Sequence, residues 1–128
     1  MKKPKTYRPN TFKSGKSYKS TFRKERESLY KTKEWVKYRF RFLHYNPLCY
    51  VCGEKASVVD HIVAAKLNVE LFKDIKNHCP MCARCHNTVT TLFDIHTPPK
   101  TEEKLKWIAD KRASGNVEIR VKVLDRYE

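Results

Sequence analysis

Cys49-Tyr-Val-Cys52-Gly53, then Ser57-Val-Val-Asp60-His61-Ile-Val63, then Asn77-His78-Cys79-Pro80-Met81-Cys82-Ala-Arg-Cys85-His86 carry most of the structural information in this chain. The β-branched residues of 57–63 predict a strand, and residues 77–80 predict a second short one. Each is flanked by a Cys-x-x-Cys pair. A two-residue spacer lets both thiolates of a pair bind one ion, and two such pairs complete a closed tetrahedral Zn²⁺ site. Closed coordination leaves no position for water or substrate, so the expected role is structural. A redox Cys-x-x-Cys is disfavoured, because two pairs occur without a thioredoxin pattern. Cys79, Cys82 and Cys85 share one register, so spacing alone also permits Cys79/Cys82 as the second pair.

Working outward, residues 64–76 read as a loop with a turn of helix around Glu70–Lys73. Arg84 to about Ile95 can be helical, with Cys85, Val89, Leu92 and Phe93 on one face. Its Thr-rich sequence has poor intrinsic propensity, so packing has to hold it. Upstream, Val36, Phe40 and Leu43 at i, i+4, i+7 predict a helix over about Glu27 to Tyr45, started by Thr32 and Glu34 and stopped by Asn46-Pro47. Val36, Tyr38, Phe40 and Phe42 also alternate as in a strand, but the terminal signals favour the helix. Downstream of Pro98-Pro99, Thr101-Glu-Glu opens another helix that ends near Gly115. Val117, Ile119, Val121 and Val123 then alternate with Glu118, Arg120 and Lys122, which predicts a half-buried strand that must pair with something. The expected fold class is small α+β. It divides into a flexible basic arm (1–25), a core (26–97) and a helix-strand extension (98–128).

The 128 residues suit one compact domain with tails. The net charge of +14 is uneven: residues 1–45 hold 15 basic and 3 acidic side chains, residues 46–128 hold 13 and 11. A concentrated basic arm implies a polyanionic partner, above all nucleic acid. No stretch is apolar enough to cross a bilayer, and Met1-Lys2-Lys3-Pro4 is not followed by the apolar core of a secretory signal. The expectation is a reducing cytoplasm, where five cysteines argue for metal ligation over disulfides.

Four further residues have the chemistry for phosphodiester hydrolysis, which needs a nucleophilic water, a base and a positive charge at the phosphate. His61 can be the base, being neutral at cellular pH. Asp60 and His86 suit a divalent ion that keeps open positions. Asn77 can fix the imidazole of the base through a side-chain or backbone carbonyl. Asp60 and His61 are adjacent on a predicted strand, so they point to opposite faces unless the strand bends. His44, His78 and His96 are expected to be packing or surface residues.

Cys49-x2-Cys52, Asp60-His61-Ile62, Asn77-x4-Cys82-x2-Cys85-His86-Asn87 together resemble the HNH endonucleases, in particular the small phage and bacterial members with a four-cysteine zinc site. The likeness runs from about Trp35 to Phe93. It implies a ββα-metal fold, two antiparallel strands and a helix around one catalytic divalent ion. In that family the residue matching His61 is the general base, those matching Asp60 and His86 ligate the ion, and the one matching Asn77 orients the base. The family's last knuckle cysteine precedes the metal-binding histidine, which selects Cys82/Cys85. The implied cofactors are structural Zn²⁺ and catalytic Mg²⁺ or Mn²⁺, with Ni²⁺ or Zn²⁺ as alternatives. The implied partner is double-stranded DNA, with Arg84, Lys37, Arg39 and Arg41 as candidate contacts, and a phage or prophage origin. A homodimer or other phage proteins are further candidate partners, and no membrane is involved. The chain departs from some relatives in having Thr90 where they carry a further histidine, and Val89-Thr90 where many have Lys-Thr. The competing expectation is a zinc-stapled nucleic-acid-binding module without catalysis.

Overall fold

The computed structural model describes residues 23–128. They divide between two units, 1–32 and 33–128. In the first, residues 23–30 are helical, and Thr32 Oγ1 donates to the Leu29 carbonyl at 3.1 Å beyond its end. The expected flexible arm lies outside the described residues except for positions 23–25, which are helical.

The second unit is α+β, with one antiparallel pair of strands. It opens with α1 (Lys33–Tyr45), which places Glu34 in its first turn and His44 in its last. The helix forms as expected, but not with the expected face inward. Trp35, Tyr38 and Phe42 are buried, whereas Val36 and Phe40 are 56% and 74% exposed. The aromatic stripe wins because it buries more apolar area and because its polar atoms find partners inside. Asn46 ends the helix, its Nδ2 donating to the Phe42 carbonyl at 3.1 Å, and Pro47 prevents continuation.

Strand β1 (Val58–His61) pairs antiparallel with β2 (His78–Met81) in the register Val58↔Met81, Val59↔Pro80, Asp60↔Cys79, His61↔His78. Pro80 is tolerated because a two-stranded sheet has only edge strands. Alternation gives this small sheet two different faces. Val58, Asp60, Cys79 and Met81 share one, and Val59, His61, His78 and Pro80 share the other. Cys79 and Met81 join Cys49, Val51, Cys85, Val89 and Ile108 in one buried cluster. His61 and His78 face the aromatics of α1.

Between the strands lie α2 (Val69–Lys73), N-capped by Asn68, and a 3₁₀ turn (Ile75–Asn77), capped by Asp74. After β2 come α3 (Ala83–Val89), a π turn (Thr90–Asp94) and α4 (Thr101–Ser114). Helix α4 has Glu102 and Glu103 at its start and Lys111 and Arg112 at its end, the arrangement that complements the helix dipole.

The C-terminal strand expected over Val117–Val123 does not form. The alternation survives over 117–122 as half-buried Val117, Ile119 and Val121 against exposed Glu118, Arg120 and Lys122, but Val123, expected inside, is exposed. Side chains take the place of a partner strand. Asn46 Oδ1 accepts from Lys122 N at 2.7 Å, Asn46 Nδ2 donates to Lys122 O at 3.0 Å, and Arg112 Nη2 donates to Ile119 O at 2.8 Å. With its backbone groups satisfied this way, the segment needs no ladder. Residues 98–128 accordingly belong to the same unit as 33–97.

Candidate functional site

The sulfur atoms of Cys49, Cys52, Cys82 and Cys85 all lie within 4.8 Å of one another. Cys52 Sγ and Cys82 Sγ are 3.8 Å apart, which is the edge of a tetrahedron with Zn–S bonds of about 2.3 Å. The four-cysteine cluster can therefore hold a metal ion such as zinc. Gly53, at φ +81°, lets the first knuckle turn back in a conformation that side chains disfavour. Cys82 caps α3, accepting from the Cys85 N–H at 3.4 Å. Burial pushes the Cys82 thiol up, but that N–H and the neighbouring thiols outweigh it, so Cys82 lies below the ordinary thiol range. Burial raises Cys52 and Cys85 as well, and there it prevails, so a bound dication would be what favours their thiolates. The register ambiguity resolves on geometry. Cys79 pairs with Asp60 across the ladder and lies outside the sulfur cluster. None of the five cysteines forms a disulfide.

On the same sheet face, Asp60 is 1% exposed. Its Oδ1 meets His86 Nδ1 at 2.9 Å, and its Oδ2 meets Lys104 Nζ at 2.9 Å. His86 comes from the second half of α3 and keeps about a third of its side chain in contact with solvent. Lys104, from α4, is wholly buried. It also donates to the His61 carbonyl at 2.8 Å and to Asp94 Oδ2 at 2.9 Å. Burial raises the Asp94 carboxyl, against the pull of Lys104. The 2.9 Å separation of Oδ1 and Nδ1 matches adjacent corners of an octahedron with bonds of about 2.1 Å. As it stands this contact is a hydrogen-bonded ion pair; a carboxylate oxygen and a half-exposed imidazole nitrogen are also atoms that could serve a divalent ion as two of its donors.

His61 lies on the opposite face from Asp60. Its ring packs on Trp35, Phe72 and His78 at centroid distances of 5.5, 4.8 and 4.9 Å. Its Nε2 donates to the Phe72 carbonyl at 3.0 Å, which places the basic lone pair on Nδ1. Burial, and secondarily His78, lower its pKa to about 4. His78 Nε2 donates to the same Phe72 carbonyl at 2.8 Å, and Tyr38 O–H donates to His78 Nδ1 at 2.6 Å.

Asn77 is buried and holds the loop after β1. Its Oδ1 accepts from Val63 N at 2.8 Å, and its Nδ2 donates to Val63 O at 3.0 Å and Leu71 O at 3.2 Å. The carbonyl on His61 thus belongs to Phe72, while Asn77 acts on the backbone beyond it.

Of the four predicted catalytic positions, Asp60 and His86 come together, Asn77 supports the chain between them, and the His61 side chain turns away. Lys104 and Asp94 were not anticipated. The only sequence signal is that Lys104 stands at i−4 from buried Ile108, on the inner stripe of α4, and a lysine there is invisible without its partners.

Of the predicted DNA contacts on α1, Lys37 is exposed, whereas Arg39 and Arg41 are engaged. Arg39 donates to Ser57 O at 2.7 Å, and Arg41 donates to Tyr127 O at 3.0 Å. Arg84 is exposed beside the cluster, its Nη2 4.0 Å from Cys52 Sγ. No helix among the described residues is long and apolar enough to cross a membrane. No protein-family model, curated protein or solved structure matches the chain.

Proposed function

We propose that this chain is a metal-dependent DNA endonuclease of the HNH kind. The observation that carries the reading is the 2.9 Å approach of Asp60 Oδ1, on β1, to His86 Nδ1, on α3. It occurs in a β1–β2–α3 succession next to a separate four-sulfur cluster. Zinc in that cluster would be structural, joining the segment before β1 to the start of α3.

Asp60 and His86 would hold the catalytic ion, Mg²⁺ or Mn²⁺, in this reading. A bound divalent ion supplies positive charge at the scissile phosphate and at the departing 3′ oxygen, and makes water more acidic. Asp60 is preset for this by burial and by two fixed partners, so little ordering is left to do on binding. His61 is the assigned base. Burial keeps it neutral at cellular pH but makes it a weaker base than an ordinary imidazole, and Nδ1 is the nitrogen that would accept the proton. To act, that nitrogen must reach a water near Asp60, which requires the ring to leave the Trp35–Phe72 stack. The basic N-terminal third of the chain, residues 1–45, would supply salt-sensitive contacts to the phosphates. The bond broken is a DNA phosphodiester, leaving 3′-hydroxyl and 5′-phosphate ends.

A second reading is favoured by a specific observation: His61 is only 5% exposed and Asp60 already has a lysine on its second oxygen. These suit a zinc-stapled nucleic-acid-binding module in which Asp60, Lys104 and Asp94 merely tie α4 to the sheet. Nicking of supercoiled plasmid separates the two. The nuclease cuts with Mg²⁺ or Mn²⁺, stops in EDTA, and is silenced by Asp60→Asn and by His86→Ala. A folded wild type that binds DNA and fails to cut it whichever divalent ion is supplied establishes the module instead.

A further inference from the structure

Lys104 is the one fully buried lysine among the described residues. Burying an ammonium costs several kcal/mol unless it is paired and hydrogen-bonded, so its surroundings must be built for it. They are. Its ammonium donates to the His61 carbonyl of β1 at 2.8 Å and to Asp94 Oδ1 and Oδ2 of the π turn at 3.1 and 2.9 Å, and it lies 2.9 Å from Asp60 Oδ2 of β1 as an ion pair that is not aligned as a hydrogen bond. The two oxygens of Asp60 are thereby divided: Oδ1 faces the half-open imidazole, and Oδ2 faces the ammonium.

We propose that Lys104 is an internal counter-cation of the metal site. It occupies Asp60 Oδ2 and Asp94, and so limits a divalent ion to Asp60 Oδ1 and His86 Nδ1. The inference rests on the metal-site reading above. Two carboxylates and one ammonium leave a local charge of −1, which a dication turns to +1. Without the ammonium the same dication meets −2 and is neutralised. The lysine therefore weakens ion binding by charge repulsion and keeps Asp94 from becoming a third ligand. It also holds buried Asp60 beside partly buried Asp94 when no ion is bound, since the two carboxylates would otherwise repel. Lys104 is a positioning residue: it touches Asp60, not the phosphate.

The test is Mn²⁺ binding to the zinc-loaded full chain, read from the electron paramagnetic resonance signal of free Mn²⁺. Lys104→Met should bind Mn²⁺ at least about tenfold tighter than wild type, and its Tm should rise more on Mn²⁺ addition. Lys104→Arg, which keeps the charge, should stay near wild type. Asp94→Asn should bind more weakly, because Lys104 then neutralises Asp60 alone. A Lys104→Met protein that is folded by circular dichroism and binds Mn²⁺ no tighter overturns the proposal. If that variant does not fold, Asp94→Asn decides, and unchanged affinity overturns it. These results leave the nuclease reading standing if wild type binds Mn²⁺. If neither wild type nor any variant takes up Mn²⁺, the metal-site reading falls as well.

Discussion

His61 and His78 stand opposite each other in the β1–β2 ladder, and both donate from Nε2 to one acceptor, the carbonyl of Phe72. The shared acceptor fixes the same tautomer in both rings, and burial lowers the pKa of each.

This pair should make the fold acid-sensitive. Folded, His61 stays neutral down to about pH 4, whereas the unfolded chain protonates it below 6.5. Its contribution is complete above pH 6.5 and is lost as pH falls toward 4, amounting to about 3 kcal/mol at most. His78 acts in the same direction. Urea unfolding of the zinc-loaded chain at pH 7.5, 6 and 4.5 should show that loss. His61→Phe should flatten the slope relative to wild type; an equally steep profile in the variant removes His61 as its source.

Zinc should be required for folding. Structural zinc sites in small domains supply on the order of 10 kcal/mol, about the whole stability of a domain this size. Cys49→Ser or Cys85→Ser should leave the second unit unfolded or molten by near-ultraviolet circular dichroism. Cys79→Ala should retain one zinc per chain by mass spectrometry under native conditions. A Cys79→Ala chain that loses its zinc would reassign the second knuckle to Cys79/Cys82.

Asn77 gives a stability signature that is separable from catalysis. Asn77→Ala removes three hydrogen bonds from a buried position and orphans backbone groups of Val63 and Leu71. The expected cost is about 2–4 kcal/mol in denaturant unfolding. A variant within about 0.5 kcal/mol of wild type would mean that the loop after β1 is held by other contacts.

The cations of α1 should separate into two classes. Lys37→Ala should leave Tm unchanged, weaken DNA binding uniformly across sequences and lower the salt slope by about one unit. Arg41→Ala should lower Tm, because its guanidinium carries the Tyr127 carbonyl and lies over the Tyr38 ring at 5.8 Å. An Arg41→Ala protein with wild-type Tm and reduced DNA affinity would move Arg41 to the binding surface.

Much of the local structure was legible because it is encoded locally. The β-branched run at 57–61, the Cys-x-x-Cys spacing, the acidic start of α4 and its stop near Gly115 each carry their meaning within a few residues. What was not legible depends on partners far away in the chain. Helix α1 could be read as a helix, but its inner face was misread, since Tyr38 is drawn inward by His78, forty residues on. The alternating residues 117–122 carry a true burial pattern, yet whether a strand or a set of side chains would receive their backbone could not be known. Asp60 and His86 could be paired on paper through a family likeness. Lys104 could not, because a lysine in a charged helix is ordinary until its neighbours are known.

Because neighbouring positions 78 and 79 serve opposite faces, a slip of β2 by one residue would put an imidazole in place of a thiol opposite Asp60. Cys82 follows β2 directly, so the same slip would drag one corner of the sulfur tetrahedron out of place. Zinc in the sulfur cluster would thus act as a check on strand alignment. A chain able to close its knuckles has also placed Asp60 within reach of His86.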